Sequence, residues 1–150
     1  MASAVEYLRS VVRVFPDYAD TVLWFAPGPV AYEDAHLTKE LEARMKAWEN
    51  SYYAALTELF EWQKGFDVVA FDRRGLGLAT SLADELGDAL GVEYRNHQDG
   101  GQEAVTLRGA GEGTNPAARA AFLELSRVSR ETIDHQPHYM PGTVFLRQER

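Results

Sequence analysis

Leu41, Met45, Trp48, Tyr52, Leu56 and Leu59 recur at steps of three and four residues, and no other pattern in the chain restricts its fold so severely. That spacing keeps all six side chains on one side of a helix. It predicts a long helix over about 39–64, with Thr38 as N-cap and Gly65 as its stop. A helix with one apolar face has to lie against something apolar. The chain offers several short runs of strand type: Val11 to Phe15, Val22 to Phe25, Phe66 to Phe71, Val92 to Asn96 and Glu103 to Arg108. The last two flank Asp99-Gly100-Gly101, a hairpin signal.

A second helix is expected after Asp72, which would cap it, with Leu78, Leu82, Leu86 and Leu90 four apart and Gly87 or Gly91 as the stop. Asn115-Pro116 reads as N-cap and first position of a third, running to about Thr132. Its core face would be Ala118, Phe122, Leu125 and Val128. At the start, Ser3 with Glu6 resembles a capping box, so a helical turn can feed the first strand. Near the end, Thr143 to Arg147 reads as an edge strand. The expected class is α+β: a small sheet of about 4–5 strands, covered by about three helices, in one domain spanning all 150 residues.

Charge is distributed unevenly. The net value is −8, and residues 31–103 hold 15 acids against 7 bases, so the whole excess lies there. Repulsion of phosphate argues against nucleic acid and favours a protein partner more basic than this chain. There is no cysteine, which excludes disulfides, thiolate catalysis and cysteine-held metals and fits a reducing, cytoplasmic setting. No run of about 18 apolar residues occurs, so no membrane partner is expected. Nothing in the composition opposes self-association.

Motifs for chemistry are sparse. Gly109 to Thr114 sits where a phosphate cradle would be built, yet Thr114 stands at the sixth position of the dinucleotide fingerprint and no Gly-Lys-Ser/Thr follows. No serine lies in a nucleophile elbow. Arg73 and Arg74 could hold an anion bidentately. His135 and His138, beside Asp134, are the one close histidine pair and candidate metal ligands, although a third ligand would have to come from afar. On the long helix, Tyr53 and Phe60 lie seven residues apart, off the core stripe and beside Glu42 and Glu49. Aromatics rimmed by acids suit a protein interface.

Phe15-Pro16-Asp17-Tyr18, Val22-Leu23-Trp24, Gly28-Pro29-Val30, the segment from Leu37 to Trp48 and the later stretch Gly77 to Gly87 resemble small actinobacterial proteins with no assigned activity. The resemblance implies a bacterial chain that begins strand, strand, long helix, and it transfers no site residue.

With no catalytic constellation, the sequence favours a binding protein without cofactor over an enzyme. The most concrete form is an immunity- or antitoxin-like inhibitor of a basic protein. The alternative is an enzyme dependent on a small molecule or metal, with a site near Arg73, Arg74, His135 and His138.

Overall fold

The computed structural model of the chain describes residues 4–26 and 28–134. In order they form α1 (Ala4–Ser10), β1 (Val11–Val14), β2 (Leu23–Phe25), β3 (Gly28–Pro29), α2 (Tyr32–Ala35), α3 (Lys39–Ala54) and α4 (Val68–Leu86). A 3₁₀ turn over Gly87–Ala89 leads to β4 (Gly91–Arg95), β5 (Ala104–Arg108) and α5 (Pro116–Asp134). The class is α+β. Five strands lie in the order β3-β2-β1-β4-β5, with β1 and β4 parallel and the other neighbours antiparallel. Three helices are long, as expected, and α1 and α2 are short additions. The strand expected over 143–147 lies outside the described residues.

Register decides which side chains share a face. Leu23, Val14, Tyr94 and Val105 stand opposite one another across four strands, and Trp24, Arg13, Glu93 and Thr106 do so on the other face. Val12, Val14, Val92 and Tyr94 are buried in one core with Leu41, Met45 and Trp48 of α3 and Phe71, Leu78 and Leu82 of α4. Phe122 of α5 meets Phe25 edge-on at 5.6 Å. Trp48 lies stacked on Phe71 at 4.7 Å and donates its Nε1–H to the Phe71 carbonyl at 3.0 Å, which satisfies the polar edge of a buried ring.

Two segments differ from their sequence reading. The long helix ends at Ala54, so Leu56 and Leu59 do not continue its stripe. Thr57 Oγ1 accepts from the amides of Leu59 and Glu61, and an isolated bridge joins Leu56 to Trp62. This reversal brings Trp62 against Tyr52 and Phe71, and Phe66 against Trp62. Burying those rings outweighs the few tenths of a kcal/mol per residue by which helix propensity would extend α3.

The second difference is Phe66 to Phe71, which is no strand: Phe66 precedes the N-cap Asp67, and Val68 to Phe71 form the first turn of α4. Asp67 caps the helix, its carboxylate accepting from Ala70 N at 2.9 Å, and Asp72 is a buried residue inside it. The apolar run fits a helix because Phe71 goes into the core while Val69 stays exposed. Gly87 stops α4 as expected.

The far end of α4 organises the other helices. Glu85, 7% exposed, accepts from Thr38 N at 3.1 Å, Thr38 Oγ1 at 2.6 Å and Asn115 Nδ2 at 2.8 Å. Thr38 is the N-cap of α3, and Asn115 Oδ1 accepts from Ala118 N in the first turn of α5. One carboxylate therefore ties two helix starts to the end of a third. On α5, Ala118 and Phe122 reach the core and Leu125 is partly buried, but Val128 is exposed and Ser126 and Ser129 are buried instead.

Two substitutions test this packing. Gly75, in α4, faces Tyr94 and Trp48: a Cβ there would lie 2.6 Å from Trp48 Cζ2 and closer still to the Tyr94 ring. Gly75→Ala should destabilise by about 1–3 kcal/mol through overpacking, even though alanine is favoured in helices by about 1 kcal/mol. Trp48→Ala should cost about 3–5 kcal/mol. Urea denaturation of both variants gives the values.

Candidate functional site

An exposed aromatic patch forms where the β1–β2 loop meets the turn after α3. Tyr18 packs against Tyr53 at 4.7 Å and meets Phe60 edge-on at 6.2 Å. Tyr18, Leu59 and Phe60 are 61%, 78% and 72% exposed, so three large apolar side chains lie on the surface, two of them in contact. Asp17, Asp20, Glu58 and Glu61 flank them in the chain and are exposed. Tyr18, Asp20 and Phe60 adopt φ of 58°, 59° and 62°, in the left-handed region that costs a non-glycine residue roughly 1–3 kcal/mol.

Specific bonds hold that geometry. Tyr53 Oη accepts from Tyr18 N at 2.6 Å and donates to Glu49 Oε2 at 3.5 Å. Glu49 Oε1 accepts from Tyr32 Oη at 3.3 Å, and Tyr32 Oη accepts from Val22 N at 3.2 Å. Burial raises the Glu49 carboxyl above its ordinary value, partly offset by the hydroxyl of Tyr32. Glu49 is thus a buried support beneath the patch.

Beside the patch, and sharing Phe60 with it, lies a cleft of about 700 Å³ at the carboxyl ends of the parallel strands β1 and β4. Phe15, Tyr52 and Trp62 wall it, and His97 lies at its inner side. Rings of Trp48, Tyr52, Trp62, Phe71 and Tyr94 surround the imidazole at 5.2–6.3 Å.

Asp72 fixes the histidine from behind. Its Oδ1 accepts from Tyr94 Oη at 2.6 Å and His97 N at 2.9 Å, and its Oδ2 accepts from Gln98 N at 3.0 Å. The His97 Nδ1 edge faces the same Oδ1 at 3.3 Å. Burial alone would raise the Asp72 carboxyl, but the Tyr94 hydroxyl and the amides of His97 and Gln98 outweigh it and hold the pKa low. Burial pushes the His97 pKa below 6.5, against a weaker upward pull from Asp72. The imidazole is therefore neutral at neutral pH. Since the carboxylate is ionised, the proton belongs on Nδ1 and the lone pair on Nε2.

The residues singled out from sequence fall in separate places. Tyr53 and Phe60 do come together with Tyr18, although Phe60 lies in the turn and not on the helix. Glu42 is half-buried and paired with Lys46 at 2.8 Å. Glu49, expected on a polar rim, is buried because its two oxygens are taken by tyrosines. Arg73 and Arg74 are exposed on α4 and do not line the cleft, and Arg74 reaches Ser51 Oγ at 3.5 Å. His135 and His138 lie outside the described residues. The glycine-rich loop is filled by α4: Gly113, at φ +77°, leaves a Cβ only 2.5 Å from Glu85 O.

Sequence reasoning missed Tyr18, Leu59 and Asp72 as site residues and saw in His97, with His36, only a distant candidate for a third metal ligand. Leu59-Phe60 between Glu58 and Glu61 was a legible signal, an apolar pair bracketed by acids. The pairing of Asp72 with His97 spans 25 residues and carries no local pattern.

Residues 10–97, which include Tyr18, Tyr53, Leu59 and Phe60 of the patch and Phe15, Tyr52, Trp62 and His97 of the cleft, match the Serratia CdiI immunity protein-like family, and the chain belongs to that family. It is also similar to the Ribosomal RNA large subunit methyltransferase H of Paracidovorax citrulli (strain AAC00-1), at 31% identity over 146 residues, with 89% of this chain and 82% of the relative covered. The protein of the same name from Acidovorax sp. (strain JS42) is 30% identical with the same coverage.

The neutral histidine sets a pH dependence. A base whose folded pKa is depressed binds more protons when unfolded, so its contribution is complete above 6.5 and is lost as pH falls. Asp72 acts in the same sense at lower pH, and Glu49, with a raised pKa, opposes it above 4.5. The melting temperature should therefore drop as pH is lowered from about 7 to about 5.5, and His97→Gln should flatten that slope. Melts of both proteins across the range check it.

Proposed function

We propose that this chain is a non-enzymatic immunity protein that neutralises a toxin domain more basic than itself. Docking occurs through Tyr18, Tyr53, Leu59 and Phe60, with Asp17, Asp20, Glu58 and Glu61 as the charged rim. The observation that carries the reading is the exposed, mutually packed aromatic patch held in a strained backbone. Strain of this kind persists where the surrounding structure over-determines a geometry, and it gathers at binding sites. Membership of an immunity-like family supports the reading, and so does the acidic excess of residues 31–103, because complementary charge speeds association and makes it salt-sensitive. The rim differs from the acids first singled out: Glu42 is engaged by Lys46, and Glu49 supports the patch from beneath.

The likeness to methyltransferases carries a second reading, an enzyme acting in the cleft at the ends of β1 and β4, where ligands bind in many open sheets with parallel strands. The acidic middle of the chain opposes ribosomal RNA as a substrate. An assay for methyl transfer to large-subunit ribosomal RNA decides between them: transfer above background would overturn the binding-only reading.

Two variants test the docking surface. Phe60→Ala and Leu59→Asp should each leave stability within about 0.5 kcal/mol of the parent, as exposed positions do. In cells expressing a toxin domain from the same genome that the parent chain protects against, both should lose protection, and affinity for that domain should fall at least about tenfold, as at interface hot spots. Retained protection by both variants would remove the patch from the interface.

A further inference from the structure

His97 presents an unused hydrogen-bond acceptor to an aromatic cleft. No group among the described residues bonds to its Nε2: the contacts of the imidazole run from Nδ1 to Asp72 and Tyr94. His97 lines the cleft and its side chain is 19% exposed, and with Nδ1 turned to Asp72 the opposite edge of the ring, Nε2, is the one left to face that space. Its orientation is fixed from behind by Asp72, and the backbone N–H of the same histidine is bound to that carboxylate too. An acceptor held this rigidly, at the inner side of a space walled by Phe15, Tyr52 and Trp62, selects a donor on a flat apolar body.

Charge narrows the choice further. Arg13, Arg95, Glu61 and Glu93 also line the cleft, and their formal charges cancel. Glu93 and Arg95 are already 3.5 Å apart, and Arg95 donates to Gly101 O at 2.8 Å. Nothing there singles out an anion or a cation. The volume, about 700 Å³, lies in the range of small-molecule sites.

We propose that the cleft is a binding site for a neutral planar aromatic heterocycle bearing a ring N–H, which donates to His97 Nε2 while its faces pack on Trp62 and Tyr52. This goes beyond the immunity reading and does not rest on it: a toxin could dock on the patch whether or not the cleft takes a ligand.

The test uses the intact chain and three probes. Indole carries the donor, 1-methylindole has the same ring without it, and N-acetyltryptophanamide sets the ring on a peptide backbone. Titrations are followed by long-range ¹H–¹⁵N NMR of the imidazole nitrogens, with His97→Gln used for assignment, and by tryptophan-independent calorimetry. Indole should shift the Nε2 resonance of His97, and 1-methylindole should bind about five- to tenfold more weakly and leave that resonance in place, the loss expected for one hydrogen bond in a shielded site. Trp62→Leu, at a half-buried position, should weaken indole, with far-UV circular dichroism and a cooperative thermal melt in the absence of ligand showing that the chain still folds. Tighter binding of N-acetyltryptophanamide than of indole would assign the ring to a tryptophan of a protein, and weaker binding to a free small molecule; both keep the site. Equal binding of indole and 1-methylindole, or an Nε2 resonance that does not move at saturation, would overturn the proposal.

Discussion

Two buried carboxylates on one helix hold this molecule together. Asp72 and Glu85 of α4 are 4% and 7% exposed and lie about 20 Å apart along the helix at ~1.5 Å per residue. A carboxyl group so placed is tolerable only when its oxygens are occupied. Both are. Asp72 takes the Tyr94 hydroxyl and the amides of His97 and Gln98, and so pins the exit of β4 to the start of α4. Glu85 takes Thr38 and Asn115, and so pins the starts of α3 and α5 to its end. Loss of these partners would leave buried polar oxygens unsatisfied, which makes the relative placement of sheet and helices strongly specified.

The candidate sites follow from the same constraint. Because Asp72 holds the backbone of His97 as well as its ring, the imidazole is fixed in position and tautomer before any ligand arrives. Because α4 fixes Phe71, the rings of Tyr52, Trp62 and Phe66 have a surface to close on, and their closure reverses the chain after α3. That reversal exposes Leu59 and Phe60 beside Tyr18. Patch and cleft are thus two results of one packing event. The network from Glu49 through Tyr53 to the amide of Tyr18 then sets the patch in a geometry that the local backbone does not prefer.

Pre-organisation of this kind suits recognition. A partner meeting a patch already held in place has less side-chain and loop freedom to remove on binding. Acids around the rim act at longer range and chiefly on the encounter rate. In a neutral state His97 accepts a hydrogen bond without bringing charge into the cleft, which agrees with the cancelled charges of its walls.

Much of the architecture could be read from the residues themselves. Thr38 and Asn115 as N-caps, Gly87 as a stop and the hairpin around Asp99-Gly100-Gly101 rest on interactions within a few residues of chain, and the inward side of α3 that buries Trp48 is set by the spacing of its apolar residues; such features leave a pattern. The acidic middle of the chain and the aromatic character of Tyr53 and Phe60 were equally legible. Where α3 ends, whether Phe66 to Phe71 is strand or helix, that Glu49 is buried, and that Asp72 meets His97 were decided by tertiary structure. Each depends on contacts between residues far apart in sequence, and a side chain carries the same propensity whether or not a distant ring or carboxylate has arrived to override it.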